Sequence, residues 1–266
     1  MSAQFAAAAN SPRAVEAAQL LLAVRRGGTR PAALPAALAP QSLADAYGIQ
    51  HALLRELGTS IAGWKASLFD ARNGICAPLG ASLVLDAPAY LPPLRLPTQG
   101  NCRFGIEAEI AFRLGDDLPP LAADAAYDRA TVSAALCSAH AVIEVVVSRY
   151  ADPEAVTRLE NVADMFMNEL LVVGPSLPAW RELALAELPL AVRIDSRPVF
   201  QGRGGHPLGD PLLPVVWLAN HLSQQGGGLR AGEIVTTGSC NGVHYIGPEQ
   251  TASAWFDGLG SAMVTF

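Results

Sequence analysis

Two stretches of the sequence place acidic residues inside otherwise apolar runs. Glu107 and Glu109 alternate with apolar residues from 105 to 112, and Glu144 stands alone in the apolar run 141–147. Read as a strand, the first stretch puts Glu107 and Glu109 on one face, roughly 7 Å apart at about 3.3 Å per residue. A helix would place them on nearly opposite sides. The alternation therefore predicts a strand with two carboxylates on a shared face.

Two interpretations of these acids are open. A sheet with one solvated face would simply present Glu107 and Glu109 to water. Glu144 favours the other interpretation, because an unpaired buried carboxylate is costly and needs a cation, a proton or a metal ion. Three carboxylates suit a hard divalent ion such as Mg²⁺ or Mn²⁺. The sequence thus supports the hypothesis of a metal site formed by Glu107, Glu109 and Glu144.

Composition limits the classes of function. The chain has 266 residues, 51% of them hydrophobic, and a net charge of −6 without a basic cluster, which argues against a nucleic-acid partner. No apolar run reaches the roughly 18 residues of a membrane helix. The four cysteines lie far apart without a C-x-x-C pair, which indicates neither a zinc ribbon nor a disulfide framework. We expect a cytoplasmic protein that acts on a small molecule.

The N-terminal part is predicted to be helical. Ser11-Pro12 has the form of an N-cap followed by proline, and Gly27-Gly28 ends the first helix. A spacer rich in Pro and Ala covers 30–40, and a second helix runs from Ser42 to Gly58. We expect a disordered lead-in over 1–10. The predicted division is an N-terminal segment over 1–40, with lead-in, helix and spacer, and a single catalytic domain over 41–266.

Strands dominate the chain after residue 60. Strands are predicted over 61–68, 82–85, around Glu107, around Glu144, over 234–237 and over 262–266, with a hairpin formed by 190–195 and 199–201. Helices are predicted over about 128–140 and from Asp210-Pro211 to the glycines at 226–228. Because strands outnumber helices and do not alternate strictly with them, the pattern favours an α+β fold with a mixed sheet over a doubly wound fold.

Taken in order, several of these motifs resemble the fumarylacetoacetate hydrolase superfamily. The segments that carry the resemblance are Gly63-Trp64-Lys65, Gly105-Ile106-Glu107-Ala108-Glu109-Ile110-Ala111-Phe112, Ile143-Glu144-Val145-Val146-Val147-Ser148-Arg149-Tyr150, Val162-Ala163-Asp164, Thr237-Gly238-Ser239 and the tail 259–266. Within the superfamily, the chain is most similar to the branch of 2-keto-4-pentenoate hydratases and 4-oxalocrotonate decarboxylases. The resemblance rests on the order of the whole set of motifs.

The resemblance implies a mixed β-roll core and a Mg²⁺ or Mn²⁺ site with Glu107, Glu109 and Glu144 as ligands. It further implies a lyase, either a hydratase or a decarboxylase, that acts on a short 2-keto or 2-hydroxydienoic acid through a metal-stabilised enolate. Members of the family are commonly homo-oligomers. An acylpyruvate-type hydrolase is an alternative, although it usually needs a His/Glu pair near the metal. A non-catalytic homologue that assists an active enzyme is another.

By the same resemblance, Lys65, Ser239 and Asp164 match active-site positions. Lys65 would offset the carboxylate charge and transfer protons, or it could be a strand-edge residue that reaches solvent. Ser239 would hydrogen-bond a substrate carboxylate, or it could serve only its turn. For Asp164 a structural role is favoured. The chain departs from the family after Lys65, where an acidic residue is missing, and at 165–167, where Met-Phe-Met replaces an Asn-Ala-Ser-like segment.

The remaining candidates carry less weight. The histidines show no ligand spacing with one another, so we expect surface or core roles for His51, His140, His206, His221 and His244. The segment Gly202-Arg203-Gly204-Gly205 lacks the Lys-Ser/Thr of a phosphate-binding loop.

Overall fold

The computed structural model describes residues 9–70, 72–91 and 104–266. In this part of the chain the α-helices are α1 (Pro12–Arg25), α2 (Leu43–Glu56), α3 (Arg129–Ala135), α4 (Arg158–Ala163) and α5 (Leu213–Gln224). The strands are β1 (Ile61–Leu68), β2 (Gly74–Gly80), β3 (Val84–Asp86), β4 (Ala89–Tyr90), β5 (Phe104–Leu114), β6 (Leu136–Val146), β7 (Asn168–Val173), β8 (Pro189–Ile194), β9 (Arg197–Arg203), β10 (Ile234–Ser239), β11 (His244–Ile246), β12 (Thr251–Phe256) and β13 (Gly260–Thr265).

The strands form two mixed sheets. The larger sheet has the order β2-β1-β10-β5-β6-β7-β3, with β11 also paired to β5, and the smaller has the order β4-β13-β12-β8-β9. Parallel pairs (β1 with β10, β3 with β7, β4 with β13) occur beside antiparallel ones. The smaller sheet packs through β12 and β13 against β6 of the larger one. The predicted α+β fold with mixed sheets is confirmed.

The N-terminal helices begin as the sequence predicts. The Ser11 hydroxyl accepts a hydrogen bond from Ala14 N at 3.2 Å, and the Ser42 hydroxyl accepts one from Asp45 N at 3.1 Å. Each hydroxyl satisfies an amide that the first helical turn leaves unpaired. Helix α1 packs on α2, α2 packs on α4 and β2, and α5 packs on β1, β2 and β10. The helices thus cover the end of the large sheet that contains β1.

The two faces of β5 have different surroundings. Ile106, Ile110 and Phe112 are buried in the main hydrophobic core. The opposite face carries the acids together with a smaller apolar cluster (Leu79, Ala111, Val142, Leu171, Val173 and Ile234). The period-two alternation therefore separates a core face from a face with buried charge.

Some predicted elements are wrong or incomplete. The helix expected over 128–140 ends at Ala135, and Leu136 begins the long strand β6, because residues 136–146 pair with β5. Residues 81–83 form a 3₁₀ turn before β3, so the strand expected at 82–85 starts two residues later. Strands β2, β4, β7, β11 and β12 and helix α4 were not predicted. The predicted hairpin and both strands of the C-terminal region are confirmed.

Other predictions lie beyond what the structure tests. Residues 1–8 of the lead-in predicted over 1–10 lie outside the described residues, as does Cys102, whereas Ala9 is described and fully buried, so the expected disorder does not reach it. The division at residue 40 stays a prediction. Among the described cysteines, Cys76, Cys137 and Cys240 are free thiols. No helix in the described ranges has both the length and the apolar character that crossing a membrane requires.

Candidate metal centre

The register of β5 and β6 brings the three glutamates together. Glu107 lies directly opposite Glu144, and Glu109 lies two residues along on the same face of β5. One carboxylate oxygen from each residue lies within 4.8 Å of the others. Like charges directly opposite each other destabilise an antiparallel pair, so this arrangement needs compensation. The structure thus gathers all three predicted ligands at one point.

Burial makes the mutual repulsion severe. Glu144 is fully buried and Glu109 is 2% exposed. Burial and the charge of Glu144 raise the pKa of Glu109 to about 8 and the pKa of Glu107 to about 7. Both carboxyls therefore hold protons at pH values where an exposed glutamate is ionised. A cation placed among the three oxygens would displace those protons.

Two donors hold the same oxygen of Glu144. Lys65 Nζ lies 2.6 Å from Glu144 Oε1, and Asn168 Nδ2 donates to that oxygen at 2.8 Å. The other oxygen, Oε2, is buried and has no hydrogen-bond partner within the described part of the chain. An unsatisfied buried carboxylate oxygen calls for an explanation, and a cation bound to Oε2 would supply one.

Glu109 shows a similar asymmetry. The Thr236 hydroxyl and the Gly238 amide both donate to Glu109 Oε2, the amide at 2.9 Å. The amide is available because the pairing of β10 with β5 shifts register between Thr236 and Ser239, which releases Gly238 N–H from the ladder. On both Glu144 and Glu109, donors therefore crowd one oxygen and leave the other for a different partner.

Lys65 is buried above the acids. Its ammonium donates to Phe166 O at 3.0 Å and lies 4.8 Å from the centre of the Phe166 ring. Burial alone would lower the pKa of Lys65, but the three glutamates, Glu144 foremost, more than offset this and raise it. Lys65 is therefore an ammonium at neutral pH, and the interpretation that it reaches solvent from a strand edge is wrong, since it is 6% exposed.

The segment that supports Lys65 has an unusual backbone. Met165, Phe166 and Met167 have φ values of 50°, 50° and 62°, in the left-handed region that favours glycine. This conformation directs the Phe166 carbonyl to the Lys65 ammonium and places the half-buried Phe166 ring over it. The Met-Phe-Met departure from the family pattern thus lies directly beside the glutamates.

Ser239 lies next to Glu107. A hydrogen bond from the serine side chain partly offsets the rise in the pKa of Glu107. The Ser239 hydroxyl also lies 3.0 Å from Gly242 O and 3.3 Å from Asn241 Oδ1. Ser239 therefore belongs both to its turn and to the edge of the glutamate cluster, so the contacts leave both of its predicted roles open.

Asp164 contacts the centre only through other residues. It is fully buried, accepts a hydrogen bond from Arg149 N at 2.9 Å, and lies 2.9 Å from Arg149 Nε. The Arg149 guanidinium in turn donates to the Asn168 carbonyl, and the Asn168 side chain holds Glu144. Arg149 and Asp164 thus form a buried ion pair. These contacts favour the structural interpretation of Asp164.

The residues present fit a divalent ion. Three carboxylates and the Lys65 ammonium carry a net charge of −2, which one divalent ion neutralises. All the donors are carboxylate oxygens, the ligand type that Mg²⁺ and Mn²⁺ prefer. The unsatisfied Glu144 Oε2 and the raised pKa values of Glu107 and Glu109 both show that a cation would be stabilised among these carboxylates.

A separate cavity of about 620 Å³ lies on the other side of β1. Trp64, the neighbour of Lys65 in sequence, lines it together with His51 and Glu233, and the Trp64 indole donates to Glu233 at 3.1 Å. None of the three clustered glutamates lines this cavity. The cavity is therefore not the candidate site, because neither the three glutamates nor Lys65 line it.

Sequence reasoning missed several contributors. Asn168, Thr236 and the Gly238 amide hold carboxylate oxygens, and the Phe166 carbonyl holds Lys65. These contacts depend on strand register and on one irregular turn, which leave no spacing signal in the chain. The available signal was position along the chain, because Gly238 lies within the Thr237-Gly238-Ser239 motif and Thr236 directly precedes it.

Comparison with known proteins agrees with this geometry. The model of the fumarylacetoacetate (FAA) hydrolase C-terminal family matches residues 73–266. The chain is 30% identical to the 2-keto-4-pentenoate hydratase of Paraburkholderia xenovorans over 94% of both proteins. It is 34% identical to that of Burkholderia vietnamiensis over 60% of both.

Among solved structures, it is similar to a 4-oxalocrotonate decarboxylase from Pseudomonas putida in complex with magnesium and adipate. The two are 22% identical, the TM-score is 0.81, and the alignment covers 95% of this chain and 97% of that one. The resemblance predicted from the ordered motifs is confirmed, and the chain belongs to the fumarylacetoacetate hydrolase C-terminal family.

Proposed function

We propose that this protein is a metal-dependent lyase, a hydratase or decarboxylase, that acts on a short 2-keto or 2-hydroxydienoic acid. The observation that carries the proposal is the convergence of Glu107, Glu109 and Glu144 beneath the buried Lys65 ammonium. The names of its relatives support the same class of reaction. A Mg²⁺ or Mn²⁺ ion held by the three glutamates is the cofactor in this proposal.

The bound ion, Lys65 and Ser239 would have separate roles in the reaction. A bound divalent ion supplies Lewis acidity, which stabilises negative charge that develops on the 2-oxygen of a 2-keto acid. Lys65, held by Glu144 and the Phe166 carbonyl, is an ammonium at neutral pH, so it would attract the substrate carboxylate and have a proton to transfer. Ser239 donates a hydrogen bond to the substrate carboxylate from the edge of the cluster.

Asp164 acts at a distance in this proposal. Through Arg149 it fixes Asn168, and Asn168 fixes Glu144. Residues that orient a metal ligand commonly alter metal affinity about 10- to 100-fold when removed. We therefore assign Asp164 a positioning role and keep Lys65 and Ser239 as the residues that contact substrate.

The hydrolase alternative finds less support. A hydrolase of this family needs a base next to the metal-bound face. His140 bonds Ser138 and Gly174, His206 bonds Thr237, and His221 bonds Gln225. None of these hydrogen bonds joins a histidine to the three glutamates.

Turnover and metal binding test the proposal together. With Mn²⁺ present, we expect the protein to consume 2-hydroxypenta-2,4-dienoate or 4-oxalocrotonate, with mass spectrometry of the product separating hydration from decarboxylation. Glu107→Gln should abolish turnover, and Glu56→Gln, an exposed substitution, should not. Consumption of acylpyruvates alone would favour the hydrolase. Mn²⁺ binding without turnover of any of these acids would favour the alternative that the protein is a non-catalytic homologue.

The proposal also covers the oligomeric state and the cellular location. We infer a homo-oligomer, which the exposed aromatic residues Tyr90 (71% exposed), Tyr245 and Trp255 support as candidate contacts between copies. Light scattering after size exclusion would show the number of chains, and a monomer at all concentrations would contradict the inference. We also infer a cytoplasmic location, and cell fractionation tests it.

A further inference from the structure

We propose that His206 is a positioning residue that orients Glu109 through the peptide unit between Thr237 and Gly238. The inference rests on the proposed metal-dependent function and deepens it, because it assigns a role to a residue remote from the substrate. It also accounts for a histidine and a glycine-rich segment that the sequence left without a function.

A single peptide unit makes both contacts. Its carbonyl, Thr237 O, accepts a hydrogen bond from His206 Nε2 at 2.9 Å. Its amide, Gly238 N–H, donates to Glu109 Oε2 at 2.9 Å. A trans peptide is planar, with its C=O and N–H pointing in opposite directions. Fixing the carbonyl on His206 therefore aims the amide at Glu109.

The tautomer of His206 follows from its second contact. Leu208 N donates to His206 Nδ1 at 3.3 Å, so Nδ1 is the acceptor and Nε2 carries the proton. The imidazole is only 7% exposed, so it is largely shielded from solvent. A neutral, fixed imidazole is well suited to hold one carbonyl in one direction.

Two glycines bring His206 to this position. Gly204 and Gly205 have φ values of 62° and 102°, and a Cβ on Gly205 would lie 2.2 Å from Cys240 O. The loop after β9 therefore packs directly on the backbone that follows β10. The Gly-Arg-Gly-Gly segment permits this close approach, a role that glycine performs without steric cost.

The β10 irregularity makes the orientation necessary. The register shift leaves Gly238 N–H without a partner in the sheet, and Gly238 has a φ of 106°. Nothing in the ladder itself therefore fixes this peptide. Thr237 Oγ1 donates to Ile110 O at 2.7 Å and anchors the preceding residue, and His206 fixes the peptide plane that follows.

Calorimetry with Mn²⁺ on the full chain tests the proposal. We expect His206→Ala to weaken Mn²⁺ binding by about tenfold or more, as for other residues that orient a metal ligand. His206→Gln keeps an N–H donor near the position of Nε2 and should restore most of the affinity. If His206 had only a structural role, folded His206→Ala and folded His206→Gln would bind Mn²⁺ with the same affinity.

His140 provides a matched control. It is also buried, and it also bonds a backbone carbonyl at 2.9 Å, that of Gly174. It lies four residues from Glu144 along β6, about 13 Å at 3.3 Å per residue. His140→Ala should lower the melting temperature comparably and leave the Mn²⁺ affinity unchanged.

An NMR measurement keeps the proposal falsifiable if His206→Ala is too unstable for calorimetry. In protein labelled with ¹⁵N-glycine, the Gly238 amide proton should resonate far downfield in the wild type and keep most of that shift in His206→Gln, which retains an N–H donor. Wild-type Mn²⁺ affinity in His206→Ala, or a Gly238 resonance that lacks a downfield shift, would overturn the proposal. If the wild type binds Mn²⁺ but turns over none of the proposed acids, the proposed reaction is contradicted instead, and the role of His206 in metal binding is still tested.

Discussion

Without divalent ions, the glutamate cluster should make the protein less stable as pH rises. Glu109 has a folded-state pKa of about 8 against an ordinary value of 4.5. A carboxyl with a raised folded pKa contributes its full stability below the unfolded pKa and loses it as pH rises through the folded pKa. The stability of the ion-free protein should therefore fall from about pH 4.5 to about pH 8.

The magnitude follows from the same values. Between pH 6.5 and 8.5, Glu109 alone should reduce the free energy of unfolding by about 2 kcal/mol, at 1.36 kcal/mol per pKa unit up to its own pKa. Glu107, with a pKa of about 7, adds a smaller loss, and because the two carboxyls titrate together the losses do not simply add. The buried histidines, whose lowered pKa values act in the opposite direction, matter mainly below pH 6.5.

Urea unfolding in EDTA measures the effect. Glu109→Gln removes the charge, so relative to wild type it should gain about 2 kcal/mol between pH 6.5 and 8.5. Glu56→Gln is the exposed control and should follow wild type at each pH. Saturating Mn²⁺ should reverse the order, since it stabilises the wild type by about 2.7 kcal/mol at a hundred times its Kd and Glu109→Gln much less. Equal pH dependence in wild type and Glu109→Gln would refute the reasoning.

Three further substitutions probe the groups around the glutamates. Lys65→Met should keep Mn²⁺ binding but weaken oxalate binding at least about tenfold, because the substrate's carboxylate loses its cation; unchanged oxalate affinity in calorimetry would rule out the charge role. Asn168→Leu should weaken Mn²⁺ binding about tenfold because it removes one of the two donors that hold Glu144 Oε1, and wild-type affinity would contradict this. Phe166→Leu keeps the carbonyl that holds Lys65 but removes the ring, so oxalate affinity should fall less than in Lys65→Met; an equal or larger loss would show that the ring carries the interaction.

The sequence predicts a feature best when residues close by in the chain determine it. The alternation around Glu107 predicted both the strand and its acidic face, because side-chain direction in a strand has a fixed period. Ser11 and Ser42 predicted helix starts because a cap acts within a few residues. The three glutamates were recognisable since an acid in an apolar run is costly wherever the fold places it.

The rest depended on pairing between distant segments. Strand β2 contains Pro78, which ordinarily argues against a strand, but β2 is at the edge of its sheet, where a missing amide is tolerated. Ala135 and Leu136 give no local sign that a helix ends, and the change to β6 is imposed by pairing with β5. His206 was set aside for lack of ligand spacing, although its contact is with a backbone carbonyl 31 residues away.

The central claim is that Glu107, Glu109 and Glu144 form one divalent-ion site facing Lys65. Anomalous diffraction from a crystal soaked with Mn²⁺ and oxalate tests it most directly. We predict one manganese peak per chain, bound by an oxygen from each glutamate, including Glu144 Oε2, with oxalate lying between the ion and Lys65. A manganese peak elsewhere, or none at full soaking concentration, would contradict the account.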